Sequence, residues 1–174
     1  MKRAKVGEAL NNLMESEGLT NDQMAFDLHV DATMISKMRN NKRNMQSHVA
    51  SKSIEIYDNE YYTMEATREF TDGRTAPRIN GDGIEHDNRL AILLKTKEEI
   101  KEALATLNIE LFLKRPDLAT EQELMEIDVF IKELKESVWW SHNLIAALSE
   151  AYNRSSKKIN EELTRKWKSS LMIR

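Results

Sequence analysis

A series of residues from Leu124 to Tyr152, all apolar except Ser141, recurs at alternating steps of three and four, and this spacing constrains the fold more than any other feature. It brings the whole series to one side of an α-helix, whereas a half-buried β-strand would need a step of two. Thr120 precedes the series and Glu123 follows three residues later, which is the pattern of a capping box. We predict one long helix, about 48 Å in length if it runs uninterrupted from Glu121 to Tyr152.

A similar series precedes it, formed by Leu90, Leu93, Lys97, Ile100, Leu104, Leu107 and Leu111. Arg115-Pro116 separates the two series, and a third amphipathic segment runs from about Ser156 to Leu171. Sustained spacing of this kind predicts long helices packed as a coiled coil or a helical hairpin bundle.

The long helix also carries apolar residues outside its series, and a helix that is apolar on more than one face needs more than one neighbour. We therefore expect the C-terminal part to form a homodimer or a higher homo-oligomer. The alternative is a monomeric three-helix bundle that uses these faces internally. The residues expected at the dimer interface are Leu124, Ile127, Ile131, Leu134, Val138, Ile145 and Leu148.

Composition favours an all-α protein of one or two domains, since the 174 residues include only two prolines and five glycines. The chain has no cysteine, which fits a reducing cytoplasm. No apolar run approaches the roughly 20 residues that a transmembrane helix needs, and the N-terminus does not have the pattern of a signal peptide. These features predict a soluble cytoplasmic protein with no membrane association.

Residues 19–43 predict two short helices joined by a tight turn. The first would run from about Asn21 to Leu28 with Thr20 as its N-cap, and the second would begin at about Ala32 with Asp31 as its N-cap. A helix from about Lys5 to Glu17, ended by Gly18, would precede them. Two helices would follow, one capped by Ser47 and one from about Glu60 to Phe70.

The two short helices resemble the helix-turn-helix of the lambda-repressor-like (Xre/Cro-type) family. The resemblance rests, without a gap, on Leu19-Thr20, Met24-Ala25, Leu28, Val30, Ile35-Ser36-Lys37-Met38 and Lys42-Arg43. Two family glycines are replaced, by His29 in the turn and by Asn41 after the second helix. Both replacements tolerate a positive φ angle better than most residues. The resemblance implies a phage or mobile-element regulator whose second helix enters the DNA major groove.

By the same resemblance, Thr33 and Lys37 would read bases, Lys37 through guanine and Thr33 through a thymine methyl or a hydrogen bond. Ala32 and Met34 project beside them, and Ala32 would touch a thymine methyl. Asn21 would bind phosphate or reinforce a base contact, and Ser36 would pack or bind phosphate. The alternatives are that Thr33 only supports the helix start and that Lys37 is only solvated. Phosphate contacts are expected from Asn40, Asn41, Lys42 and Arg43.

The net charge of −3 does not itself indicate a nucleic-acid partner, so the distribution of charge matters more. Lys37, Arg39, Lys42 and Arg43 lie within seven residues, and Lys2, Arg3 and Lys5 lie at the N-terminus. Together with the helix-turn-helix pattern, this local basic patch favours DNA binding.

Residues 71–87 contain three of the five glycines and show no apolar periodicity, which predicts a linker. The predicted organisation is all-α. A four-to-five-helix lambda-repressor-like domain covers residues 1–70, and a helical oligomerisation or interaction domain covers residues 88–174.

An enzymatic function is not predicted. The histidines, at positions 29, 48, 86 and 142, are far apart and have no metal-ligand spacing, and there is no phosphate-binding glycine-rich loop. We expect no cofactor, no metal and no catalytic residue. Two functions remain. One is a dimeric repressor bound to a palindromic double-stranded DNA operator, and the other is a helical module that binds an antirepressor or another phage or host protein.

Overall fold

The computed structural model describes residues 3–81, 83–84 and 88–174, and 70% of the described residues are helical. The predicted all-α class is confirmed, with one small two-stranded sheet in addition. The described elements, in chain order, are β1 (Arg3–Ala4), α1 (Gly7–Ser16), α2 (Asn21–Leu28), α3 (Ala32–Arg39), β2 (Met45–Gln46), α4 (Ser47–Tyr57), α5 (Glu60–Phe70), α6 (Arg89–Ala105), α7 (Ile109–Leu113), a 3-10 helix (Pro116–Leu118), α8 (Glu121–Ala151) and α9 (Ser156–Ser169).

The chain divides into two compact units. The first unit contains the chain up to residue 78 together with residues 148–174, and the second unit contains residues 79–147. These boundaries differ from the predicted ones, because α9 belongs with the first unit. The carboxylate of Asp58, at the α4–α5 corner, accepts hydrogen bonds from the hydroxyl of Ser155 and from the backbone N–H of Lys157, the second at 2.9 Å.

In the first unit, α1 to α5 enclose one apolar core. Its largest fully buried side chains include Leu10, Leu13, Met24, Ile35, Met38, Met45 and Tyr62. Each large apolar side chain buried in this way contributes about 1.5–3 kcal/mol relative to an exposed one. This shared core fixes α2 and α3 against α1.

Most predicted helix ends in the first unit are confirmed. Helices α2 and α5 have the predicted bounds, and Thr20 and Asp31 cap α2 and α3 as expected. Gly18 has φ 64° after α1, and the N–H of Leu19 donates to the carbonyl of Met14 at 2.8 Å. This is the Schellman arrangement that glycine favours at a helix C-terminus.

Two predicted helix starts are wrong. Helix α1 begins at Gly7 and not at Lys5, because Arg3 and Ala4 form a strand paired with Gln46 and Met45. The same pairing holds Gln46 extended, so that Gln46 is the N-cap of α4 and Ser47 is its first residue.

In the second unit, α6 ends earlier than its apolar series suggests. The helix stops at Ala105, and the Asn108 side chain accepts the N–H of Glu110 at 3.2 Å to begin the separate helix α7. The residues of α6 that are buried within the chain are Ile92, Thr96, Glu99 and Ala103, whereas Leu90 and Leu104 of the predicted series are 62% and 64% exposed. The face that α6 buries is therefore not the predicted one.

The predicted capping box of α8 is confirmed. The N–H of Thr120 donates to Oε2 of Glu123 at 2.7 Å, and the N–H of Glu123 donates to the Thr120 hydroxyl at 3.3 Å. The helix ends at Ala151, one residue before the predicted end.

The described residues of the predicted linker contact other residues of their own unit. In the first unit the Arg78 guanidinium lies 4.2 Å from the centre of the Tyr61 ring and 3.6 Å from a carboxylate oxygen of Glu65. In the second unit the N–H of Ile79 donates to Oδ1 of Asn143 at 2.8 Å. Residues 82 and 85–87 of this stretch, His86 among them, and Lys2 of the basic patch lie outside the described residues.

Within the described ranges, no helix has both the length and the apolar content needed to cross a membrane.

Candidate nucleic-acid interface

Helices α2 and α3 are joined by a turn of three residues, His29 to Asp31, in which His29 adopts a left-handed conformation with φ 55° and ψ 48°. The positive φ expected at this position is confirmed. The ring Nδ1 of His29 lies 2.9 Å from the carbonyl oxygen of Phe26, and the N–H of Val30 donates to the carbonyl of Ala25 at 3.0 Å. These bonds stabilise the left-handed backbone conformation of His29, which glycine would adopt without strain.

One side of α3 is buried and the other is open to solvent. Ile35 and Met38 lie in the core, whereas Thr33 and Lys37 are exposed. Because Thr33 and Lys37 are four residues apart, they share one face of the helix. Ala32 and Met34 are half-buried and pack against the core cluster, which leaves them less surface for a ligand.

The start of α3 is capped by Asp31, whose carboxylate accepts the N–H of Thr33 at 2.7 Å. Hydrogen bonds from the Thr33 side chain and backbone hold the pKa of Asp31 below its usual range. Thr33 therefore stabilises the start of α3 through its hydrogen bonds to Asp31. Its methyl group takes no part in these bonds.

The other end of α3 is tied to α1 and α2 through Arg39. Its Nε donates to Oδ1 of Asn11 at 2.7 Å, and its Nη1 donates to Oδ1 of Asn21 at 2.9 Å. The Asn21 oxygen is thus occupied in positioning α3, while the Asn21 amide N–H groups are still able to donate. Sequence reasoning placed Arg39 only in a basic patch, because bonds to residues 28 and 18 positions away leave no local pattern.

Two further predicted phosphate-binding residues have structural hydrogen bonds. Oδ1 of Asn41 accepts the N–H of Gly7 at 3.0 Å, so that Asn41 caps α1, and Asn41 has the expected positive φ, 53°. Nδ2 of Asn40 donates to the carbonyl of Ser36 at 2.8 Å. Both side chains stabilise the end of α3 and the loop after it.

The exposed cations of this surface are Lys37, Lys42 and Arg43, and within the described residues none of the three takes part in an ion pair. The N–H groups of Lys42 and Arg43 donate to the carbonyl of Lys37 at 2.8 and 3.1 Å. This folds the loop back against the end of α3 and keeps the two loop cations beside that helix. A solvated group of cations next to an exposed helix face is suited to a polyanion.

Three carboxylates of the second unit lie close enough together to hold a metal ion. Oxygen atoms of Glu99, Glu102 and Glu133 lie within 4.8 Å of one another. Glu99 is the buried member, and Nζ of Lys95 lies 2.8 Å from its carboxylate, so this charge already has a partner. The buried carboxylate of the group is therefore paired within its own helix, α6.

Comparisons of the chain with known protein families, with curated proteins and with solved structures give no match.

Proposed function

We propose that this protein is a sequence-specific DNA-binding transcriptional regulator of the lambda-repressor-like type, and that it acts as a phage or prophage repressor. The observation that supports this best is α3, which is fixed by core packing on one side and by Arg39 at its end, while Thr33 and Lys37 project to solvent. A rigid helix with one open polar face is what major-groove reading requires.

In this proposal Lys37 donates to guanine O6 and N7, and the Thr33 methyl packs on a thymine methyl. Lys42 and Arg43 bind phosphates, which fixes the position of the protein without reading sequence. Asn21, Asn40 and Asn41 act mainly by positioning α3 and its loop, since their side chains already make the bonds described above. The amide N–H groups of Asn21 still have the capacity to bind one phosphate.

The proposal includes a homodimer that binds a palindromic operator whose half-sites lie about one helical turn, 34–36 Å, apart. It assigns the protein to the cytoplasm and requires no cofactor, metal or catalytic group. The exposed apolar residues of α6 and α8 support a partner surface in the second unit, since monomeric proteins rarely expose large contiguous apolar areas.

The same apolar residues favour a second candidate function. In that case the helices after residue 88 bind a different protein, of phage or host origin, and the N-terminal helices contribute little to activity. The two functions differ in their dependence on α3, because only the regulator needs the exposed face of that helix.

The experiment is selection from a library of short duplexes, followed by affinity measurements on the selected and on random sequences over a series of salt concentrations. We expect selection of a palindrome with an affinity at least about 1,000-fold above that for random DNA. The double variant Thr33→Ala/Lys37→Ala should lose most of this preference, since each good base contact contributes about 1–3 kcal/mol of discrimination.

The matched control is Lys158→Ala, which removes an exposed cation from α9 and should leave operator affinity unchanged. Binding that is equal on all sequences and lost by about 200 mM salt would show only non-specific attraction. That result would overturn the regulator and leave the protein-interaction module.

A further inference from the structure

Helix α8 has two apolar faces, and only one of them is buried within the chain. The buried side contains Ser137, Trp140 and Ala147. The predicted dimer series lies on another side, where all but one of its members are 39–49% exposed and Ile127 is half-buried. The exposed members are Leu124, Ile131, Leu134, Val138, Ile145 and Leu148.

The residues that flank this series differ on its two edges. On one edge, Phe130 packs edge-to-face on Phe112 with ring centres 6.0 Å apart, and Ser137 is buried, so this edge faces its own unit. The other edge is exposed and carries ionisable residues at intervals of seven, namely Glu121, Asp128, Lys135 and His142. None of these four belongs to an ion pair among the described residues.

We infer that the exposed series binds a second copy of this chain, with the two α8 helices antiparallel and Ile131 opposite Leu134 of the partner subunit. The exposed edges of two antiparallel helices meet each other. In this register Asp128 faces Lys135 of the partner subunit, and Glu121 faces His142 of the partner subunit. Two-fold symmetry repeats each pair. Asp128 and Lys135 thus lie opposite residues of the opposite charge, and Glu121 lies opposite an imidazole ring that can donate a hydrogen bond to it.

The charges disfavour the neighbouring antiparallel registers, because each of them adds a pair of like charges at the centre of the contact. A shift of one heptad in one direction places Asp128 opposite Asp128 of the partner subunit. The same shift in the other direction places Lys135 opposite Lys135 of the partner subunit. Like charges in direct opposition weaken association, and arranged complementary charges fix the register.

A parallel arrangement is also disfavoured. In a parallel pair, the exposed edge of each helix would lie against the edge of its partner that contains Phe130. Glu123, on that edge, would then approach Asp128 of the partner subunit, which has the same charge. Ser137 on that edge is already buried in its own unit and has no charge to offer. The chain thus provides complementary charges for one orientation only.

A second copy is also the occupant that the apolar area favours. Leu93, Ile100 and Leu104 of α6 are exposed as well, which adds to the apolar surface of the second unit. A stable dimer buries about 800 Å² on each partner, and the series from Leu124 to Ile145 extends over about 32 Å of helix. A copy of the same chain presents an apolar series of matching length and spacing.

The inference rests on the dimeric state proposed above but not on DNA binding. Charge substitution gives the first test, with the dimer dissociation constant measured by sedimentation equilibrium. Asp128→Lys should weaken the dimer about tenfold, because two attractive pairs become two repulsive ones. The double variant Asp128→Lys/Lys135→Asp should restore it. Lys132→Asp, an exposed charge change off both edges, is the matched control and should have little effect.

Disulfide trapping gives the second test, and the absence of native cysteine leaves no background. An equal mixture of Leu124→Cys and Ser141→Cys chains should form a crosslinked heterodimer on mild oxidation, since these positions oppose each other in the inferred register. Leu124→Cys alone should form little crosslinked dimer. Efficient crosslinking of Leu124→Cys to itself, with no heterodimer, would establish a parallel pair and overturn the inference.

A chain that is monomeric at micromolar concentration would overturn the inference together with the proposed dimer. Specific operator binding by that monomer would still support DNA reading by α3, so the two failures are distinguishable.

Discussion

Gly7→Ala should destabilise the first unit, although the same change in an ordinary helix is favourable. Gly7 is the first residue of α1, where the chain passes close to the end of α3. A Cβ atom at Gly7 would lie 2.5 Å from the carbonyl oxygen of Arg39 and 2.8 Å from Cγ of Asn41. The carbonyl is part of the backbone and has no rotamer to change, so the two segments must separate.

The expected loss follows from three contributions. Replacing glycine by alanine within a helix gains about 0.5–1 kcal/mol. Overpacking a closely packed contact costs about 1–3 kcal/mol, and weakening the hydrogen bond from the Gly7 N–H to Asn41 costs about 1 kcal/mol. The sum is a net loss of about 2 kcal/mol, which for a unit of this size lowers Tm by roughly 10 °C.

Urea unfolding followed by far-ultraviolet circular dichroism, combined with hydrogen exchange at the amides of α1, would measure this loss. Trp139 and Trp140 belong to the second unit and Trp167 lies in α9, so tryptophan fluorescence does not report directly on α1. Gly81→Ala is the matched control, because a Cβ there would meet no atom within 4 Å. A Gly7→Ala protein as stable as the wild type would refute the close approach of α1 to the end of α3.

Two further substitutions test the first unit. Tyr62→Phe removes the hydroxyl that lies 2.6 Å from Oγ of Ser53. Because Ser53 keeps its hydrogen bond to the carbonyl of Ala50, the free energy of unfolding, measured by urea titration, should fall by only about 1 kcal/mol. Asp31→Asn tests the charge at the start of α3. The folded pKa of Asp31 lies below its model-peptide value of 3.8, so the charge contributes fully above that pH, and its contribution is lost as the pH falls through the lowered pKa. The difference in Tm between wild type and Asp31→Asn should therefore be present at pH 7 and shrink as the pH falls below 3.8, and a difference that does not change over this range would contradict the assignment.

Local signals in the sequence predicted the features that depend on a few consecutive residues. Thr20, Asp31 and the Thr120–Glu123 pair are recognisable as caps in the sequence because a cap is formed by residues two or three positions apart. Gly18 was identified for a similar reason, since the chain must adopt a positive φ where α1 ends.

The contacts that position α3 could not be predicted in this way. Arg39 reaches Asn11 and Asn21, and Asn41 reaches the N–H of Gly7, over separations of 18 to 34 residues. The positive φ of Asn41 was predictable from its residue type, whereas the destination of its amide depends on how α1 packs on α3. Asn40 and Asn41 are polar and exposed, yet their side chains already have hydrogen-bond partners within the fold.

The apolar spacing of α6 shows a different limit. A step of three and four residues predicts a helix, but it does not indicate which apolar face will be buried within the chain. The buried face of α6 includes Thr96, whose hydroxyl donates to the carbonyl of Ile92 at 2.7 Å and so satisfies itself within the helix. Polar residues of this kind can line a buried face without appearing in a hydrophobic pattern.

The bonds from Ser155 and Lys157 to Asp58 also have a consequence for synthesis of the chain. Asp58 leaves the ribosome 97 residues before Ser155, a delay of about 5–20 s at ordinary rates of translation. During that interval the α4–α5 corner must persist without the donors that its carboxylate later accepts. The first unit is therefore completed in two stages, with α1 to α5 synthesised first and α9 only after the whole of the second unit.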